Sequence, residues 1–244
     1  MNPPAIKVTQ LCKRYKQVLA VDHISFEVPM GETYALLGGN GAGKTTTLSM
    51  LLGLLLPSSG GIEILGIDMA KNRFQALPRM NFTSPYVDLP HRLTVRQNLD
   101  VYARLYGIRR RPERIQQLAE HFDLTSLLKR HYGTLSAGQR TRVSLAKSLL
   151  NEPEVLLMDE PTASLDPHTA DQVRNYLREY QQRTGATVLL ASHNMQEVER
   201  LCSEVLMLKQ GRIVDRGSPE ALTQQYGRDT LEEVFIDIAR DTSR

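Results

Sequence analysis

Residues Thr33–Thr45 read "TYALLGGNGAGKT". A short β-like run breaks into glycines and ends in Lys-Thr at the start of a helical pattern. The segment Gly38–Thr45, "GGNGAGKT", fits G-x-x-x-x-G-K-[ST] between a strand and a helix, the context that motif requires. Its chemistry follows from its residues. Gly38, Gly41 and Gly43 let the backbone turn its N–H groups inward around phosphate oxygens. The helix that follows, expected from about Lys44, points its positive end at the same place. Lys44 reaches the outer phosphates and the Thr45 hydroxyl can ligate Mg²⁺. The ordinary alternative is a flexible glycine turn capping a helix.

Working outward, the pattern alternates. Ile6–Thr9, His23–Pro29 and Thr33–Gly38 read as strands, and "GIEILG" at Gly61–Gly66 as a hairpin strand. From about Thr94 to Leu150 apolar residues recur at helical spacing, as in "TVRQNLDVYARLYG" and "RPERIQQLAEHF". Strands then return in "EVLLMDEP" and "ATVLLASHN", separated by the helix "HTADQVRNYLREYQQR". "MQEVERLC" reads as a helix and "EVLMLKQGRIVDRG" as a hairpin. The continuous apolar runs Val155–Met158 and Val188–Ala191 suit strands buried on both faces, the mark of a parallel sheet between helices. The expected fold is α/β: a phosphate-loop core with a mainly parallel sheet, an N-terminal antiparallel β subdomain and an inserted helical lobe.

Composition narrows the class. The chain has 244 residues, 41% hydrophobic, with a net charge of +3. That supports a substantial core and gives no reason to expect a nucleic-acid partner. Cys12 and Cys202 form no metal or disulfide pattern and point to a reducing compartment. The N-terminus lacks a signal-peptide stretch, and the densest apolar run, Met50–Pro57, is too short to span a bilayer. A cytoplasmic location is expected, with any membrane role supplied by a partner.

Two strand ends carry candidate chemistry. "VLLMDE" ends in Asp159 and Glu160. In an open parallel sheet the ligand site lies at the carboxyl ends of the strands. Asp159 could there hold Mg²⁺, and Glu160 could act as general base on a water. Acids after an apolar run are otherwise ordinary strand-end solvation. His193 follows "TVLLAS" and is either structural or a sensor of the terminal phosphate. A further segment, "LSAGQ" at Leu135–Gln139, opens a helix. Ser136 and Gln139 make an S-x-x-Q capping box, which ordinarily satisfies the helix's own N–H groups. The same mouth could instead meet an anion.

"GGNGAGKT", "LSAGQ", "VLLMDEPTASLD" and "ASH", in that order, resemble the ATP-binding cassette (ABC) ATPases, the motor subunits of ABC transporters. The resemblance runs from about Ile6 to Pro219. It implies an ATPase using ATP and Mg²⁺. Catalysis would fall to Glu160, His193 and Lys44, and Mg²⁺ to Thr45 and Asp159. Gly38, Gly39, Asn40, Gly41, Ala42, Gly43, Lys44, Thr45 and Thr46 would bind nucleotide, with Tyr15 stacked on adenine. It also implies a head-to-tail pair in which Ser136, Gly138 and Gln139 meet the partner's ATP and Ser164–Asp166 touches the opposing cassette. Such a subunit would sit on the cytoplasmic face of the inner membrane, bound to a separate membrane permease. The expected domain spans 1–222, with core segments 1–84 and 151–222, a helical lobe at about 85–150, and a helical tail at 223–244.

The sequence departs from the family at three points. Ala137 stands where glycine is usual, and Gly39 where proline is usual. Ser84 and Pro85 stand where the family has a glutamine that helps hold Mg²⁺ and water; Gln75 and Gln97 lie too far along the chain. The loss puts the metal contact and the coupling route in question, and a stiff turn at Ser84–Tyr86 is expected instead. Arg109, Arg110 and Arg111 make a solvated turn or a contact with a membrane subunit or lipid. Leu231, Val234, Phe235 and Ile238 give an amphipathic tail helix, and the tail resembles those of drug-, polysaccharide- and natural-product-exporter subunits. The rival class is a soluble ABC ATPase of translation or DNA repair, which usually carries two cassettes or a coiled-coil insertion.

Overall fold

The structure, a computed structural model, describes residues 3–240. Two sheets organise it. The first is antiparallel and built from β1 (Pro4–Tyr15), β2 (Val18–Pro29), β4 (Ser59–Ile64) and β5 (Ile67–Asp68), in the order β2-β1-β4-β5. The second has six strands: β3 (Thr33–Gly38), β6 (Met80–Thr83), β7 (Val155–Asp159), β8 (Thr187–Ser192), β9 (Glu204–Lys209) and β10 (Arg212–Gly217). Their order is β10-β9-β3-β8-β7-β6, parallel throughout except for the β9–β10 hairpin. The helices are α1 (Lys44–Leu51), α2 (Met69–Ala76), α3 (Val95–Leu105), α4 (Arg111–His121), α5 (Ala137–Ser148), α6 (Pro167–Thr184), α7 (Met195–Leu201), α8 (Pro219–Tyr226) and α9 (Leu231–Arg240). The strands, hairpins and long helices expected from patterning all form.

Strand alternation divides the core in two. Leu36, Leu157, Leu189 and Leu206 face α1 and the antiparallel sheet. Leu37, Leu156, Met158, Val188 and Met207 face α3–α7 and the two C-terminal helices. Both faces of β3, β7 and β8 are therefore dry, which explains their unbroken apolar runs. The helical stretch packs into the second of these cores, so no separate core divides it from the sheet. Its helix α5 lies against β6, the edge strand, with Lys147 donating to Asn81 Oδ1 and Phe82 O at 3.2 Å each.

Several local features follow from single residues. Asp166 caps α6, and Gly185 ends it in the left-handed conformation. Pro85 and Tyr86 occupy a turn in which Val87 N–H reaches Ser84 O at 3.2 Å and Tyr86 N–H reaches Ser84 Oγ at 3.3 Å. Arg111, in the first turn of α4, donates to Asp100 Oδ1 at 3.0 Å, so one of the three neighbouring arginines is spent on an internal pair. Leu231 and Val234 of α9 are buried, with Phe235 and Ile238 packed beside them, so the tail helix covers its own domain. The last four positions of the expected tail lie outside the described residues. Helices α2 and α8 were not among the expected elements. No helix of the described residues is long and apolar enough to cross a membrane.

Candidate nucleotide site

Adjacent strands deliver the site. In the parallel register Leu37 pairs with Ser192, and Asp159 pairs with Ala191. The carboxyl ends of β3, β8 and β7 therefore finish side by side. The phosphate loop leaves β3 and feeds α1, whose N-cap is Gly43 at φ 105° with no side-chain cap. A Cβ on Gly43 would stand 2.7 Å from Ala20 O, so both the backbone angle and the space require glycine there. The first N–H groups of α1 are thus left without an internal side-chain partner. Lys44 is buried, its ammonium held by the carbonyls of Gly38 and of Gly39, the latter at 3.3 Å.

Thr45 Oγ1 donates to Asp159 Oδ2 at 3.1 Å, joining α1 to β7. Asp159 is 2% exposed, and burial, reinforced by the nearby Glu160, raises its carboxyl above the usual range. A buried carboxylate beside a hydroxyl is a hard-oxygen pair that fits Mg²⁺, the rest of whose shell comes from phosphates and water. Among the described residues no group of three or more His, Cys, Asp or Glu side chains forms a metal cage.

Glu160 sits at φ 48°, an uncommon angle for a non-glycine residue, pinned by its N–H to Ala191 O at 2.8 Å. The turn swings its carboxylate away from Asp159 and towards β8. There Oε1 lies 2.7 Å from His193 Nδ1, and Oε2 accepts the His193 N–H at 3.3 Å. The acid and the histidine read separately from two strand ends are one hydrogen-bonded pair. Tyr15 ends β1, 46% exposed, with the Lys13 ammonium 5.2 Å from its ring centroid. Its exposed face suits stacking on a base.

The "LSAGQ" mouth is closed on itself. Ser136 caps α5, and the box is closed: Gln139 N–H reaches Ser136 Oγ at 3.3 Å, and Ser136 N–H reaches Gln139 Oε1 at 3.0 Å. Among the described residues no hydrogen bond joins this mouth to the phosphate loop. It instead borders the loop after β7: Thr141 Oγ1 and Ser164 Oγ are hydrogen-bonded at 2.5 Å. A Cβ on Gly138 would lie 3.1 Å from Ser164 O, so this glycine admits its own chain's loop.

Between the two lies a cavity of about 350 Å³, bordered by Ser84, Pro85, Ala137, Thr141, Asp159 and Glu160 among others. No glutamine lines it. Gln97 is committed to the Thr94 cap of α3, and Gln75 lies exposed on α2. Sequence reasoning missed Thr162, Ser192 and Glu197, whose side chains form a buried group behind Glu160. An acid one turn after the histidine, on a short helix, carries no signal that separates it from an exposed one.

Known proteins place this arrangement. A family model described as "ABC transporter" matches residues 21–163. "Nod factor export ATP-binding protein I" of Burkholderia pseudomallei (strain 1710b) is 39% identical over 235 residues, covering 95% of this chain and 77% of that protein. "Probable multidrug ABC transporter ATP-binding protein YbhF" of Escherichia coli (strain K12) is 35% identical over 97% of this chain, which spans 42% of that longer protein. A solved "ATP binding subunit of ABC transporter" superposes with a TM-score of 0.89 at 28% identity, over 97% of this chain and all of that one. The dimeric MJ0796 cassette bound to ADP and Pi, 22% identical with a TM-score of 0.81 over 87% of this chain and 98% of that one, shares the fold. With the model matching more than half of its length, this chain belongs to the ABC transporter family, as one of its ATP-binding, ATP-hydrolysing cassettes.

Proposed function

We propose that the chain is the ATPase subunit of an export system, working as a head-to-tail pair on a separate membrane-embedded permease at the cytoplasmic face. Relatives named for Nod factor export and multidrug transport support export over translation or repair. The domain is read as core segments 1–84 and 151–222, a helical lobe at about 85–150, and a tail at 223–244. The observation that supports the pairing is that, among the described residues, one chain carries two helix mouths suited to phosphate with no hydrogen bond between them. The loop at Gly38–Thr46, Asp159, Glu160 and His193 follow the carboxyl ends of adjacent strands, while the mouth at Ser136, Gly138 and Gln139 is closed by its own box, with Ser136 exposed. A second cassette brings its own α5 mouth to that strand end.

The chemistry of this reading is positional. Backbone N–H groups of the loop cradle the phosphates, and Lys44 leaves its carbonyl partners for the outer phosphate oxygens. Thr45 and Asp159 would hold Mg²⁺, which would neutralise phosphate charge. Glu160 takes a proton from the attacking water, while His193 keeps the carboxylate in place and faces the terminal phosphate. Tyr15 stacks on the adenine.

Glu160→Gln tests this directly. It keeps the shape of the side chain and removes its charge. Turnover is expected to fall about 10²–10⁴-fold with ATP binding retained. ATP should then hold two chains together long enough to register as a dimer by size. Turnover near the wild-type rate, or a chain that stays monomeric in ATP, overturns the reading.

A further inference from the structure

Behind Glu160 lies a second carboxylate that the proposed mechanism does not use. Glu197, on α7, is 1% exposed, and burial raises its carboxyl above the ordinary range. Its two oxygens are both taken by hydroxyls. Thr162 Oγ1 donates to Oε1 at 2.9 Å, and Ser192 Oγ donates to Oε2 at 2.8 Å. Arg174, itself buried, supplies the nearby positive charge that favours the ionised form.

The two hydroxyls belong to different parts of the site. Thr162 starts the turn after Glu160 that runs to Ser164, with Leu165 N–H bonded to Thr162 O at 3.0 Å. Ser192 is the residue before His193, at the end of β8, and is fully buried. A serine hydroxyl has one proton to give. Ser192 Oγ stands 2.8 Å from Glu197 and 3.4 Å from Glu160 Oε2, and it accepts the Asn194 N–H at 3.1 Å. The two carboxylates therefore compete for one proton, and in this geometry Glu197 has it.

We propose that Glu197 is a positioning residue for ATP hydrolysis: it holds the Ser192 proton away from Glu160 and ties that orientation to the loop at Ser164–Asp166. While Glu197 keeps the proton, Glu160 Oε2 retains a lone pair for the water. If Glu197 withdraws, Ser192 turns to Glu160 and occupies that lone pair. The Thr162 bond makes the arrangement sensitive to the loop that borders the α5 mouth, since displacement of Thr162 pulls on the same carboxylate. The inference rests on Glu160 as the base.

The test is steady-state ATPase of the whole chain, with thermal unfolding measured alongside. In Glu197→Gln the amide donates to Ser192 Oγ, and the serine proton is released to Glu160. We expect kcat to fall about tenfold or more, the usual worth of a hydrogen bond to a charged group, with KM for ATP within about twofold because the phosphate loop is untouched. Adding Ser192→Ala to Glu197→Gln removes the competing proton and should raise kcat above that of Glu197→Gln alone. A purely structural Glu197 gives the opposite, since the second change adds a second defect. Glu197→Asp keeps the charge but draws it back by one methylene, and serves the same comparison if Glu197→Gln does not fold. Wild-type kcat in Glu197→Gln, or a double variant no faster than the single one, overturns the proposal. Glu160→Gln separates the two layers: if it turns over normally, the base assignment fails, and if it is inactive while the Glu197 series behaves as a structural site, only this inference fails.

Discussion

The mouths of α1 and α5 are both glycine-containing helix starts, and they end in opposite states. At α1 the cap is Gly43 in a left-handed conformation, with no side chain bonded to the first N–H groups. At α5 the Ser136–Gln139 box satisfies the mouth from within. Helix α3 has the same reciprocal box in Thr94 and Gln97, in a place with no phosphate chemistry. A capping box is thus no mark of an anion site. What distinguishes α5 is an exposed Ser136 beside Gly138, against the loop that follows Asp159 and Glu160. An open mouth can take a phosphate from its own chain's side. A closed one can take it only as an added acceptor, brought by another molecule to an already stable helix. In the proposed function, the pair of mouths divides binding from assembly.

The comparison breaks first at Lys44. Its ammonium rests on two carbonyls of its own loop. Lys44→Ala leaves those carbonyls facing the phosphates without the cation, and kcat/KM should fall about 10²–10³-fold or more. Fluorescent-nucleotide titration alongside turnover checks it, and a loss below about tenfold would move the phosphate cation elsewhere.

Next in size is the α5 mouth. Replacing Gly138 would disturb Ser164 within the same chain, so Ser136→Asp is the cleaner probe. Aspartate caps a helix as well as serine does, so α5 should keep its stability, but its carboxylate repels an incoming phosphate. If α5 serves a partner's ATP, turnover drops about 10–10²-fold with Tm unchanged. Mixing Ser136→Asp with Lys44→Ala then restores part of the activity, because one of the two sites in the mixed pair is free of both changes. A self-capping helix instead predicts wild-type turnover for Ser136→Asp and no gain on mixing.

Much of this site was legible because its parts are local. The loop at Gly38–Thr45, the acids after β7 and the histidine after β8 each combine strand, turn and residue type within about ten positions. The parallel register then brings them together as expected. The S-x-x-Q box was also legible, and it is present. What could not be read was tertiary. The left-handed Glu160 that turns its carboxylate onto His193 depends on the bond to Ala191 of another strand. The tight space at Gly138 depends on Ser164, in the loop after β7 that packs against it. Glu197 is buried by α7 docking beside Val198, but a charged residue between Gln196 and Val198, with Glu199 next in line, reads as the solvated face of a short helix. Helix α2 is short and polar, held by the Asp68 cap and a few contacts to β4 and β5, so patterning had little to find.

A smaller effect separates stability from function at the open mouth. Asp159 has a raised pKa in the folded chain, chiefly from burial. Its ionised form therefore costs stability. That cost is absent below the unfolded value of about 3.9 and is fully present once pH passes the raised folded value, so the nucleotide-free protein loses stability as pH rises through this window. Asp159→Asn removes the charge and keeps an acceptor for Thr45 Oγ1. We expect the nucleotide-free variant to gain about 1 kcal/mol at neutral pH, with Mg²⁺-dependent hydrolysis lost. Thermal unfolding at pH 4 and pH 7 reads it; a variant less stable than wild type at pH 7 would mean that Asp159 is satisfied without a cation.

The smallest effect lies within the phosphate loop itself and separates its glycines. Gly41 and Gly43 have φ of 77° and 105°, where a side chain is strained, and Gly43 also has no room for one. Gly39 has neither restriction. Its φ lies outside the left-handed range, and a Cβ there meets nothing within 4 Å. The carbonyl that receives Lys44 is unaffected by a methyl on the same residue. Gly39→Ala should then act mainly on the unfolded chain, by narrowing its conformational freedom, and stabilise the protein by about 0.4–1 kcal/mol. KM for ATP should stay within about twofold, since no N–H donor is lost. Gly43→Ala, measured beside it, should lose nucleotide binding, because its Cβ would collide with Ala20 O and its backbone would leave the left-handed region. If the two variants lose affinity equally, the loop needs glycine for approach along its whole length, and the distinction drawn from its backbone angles is wrong.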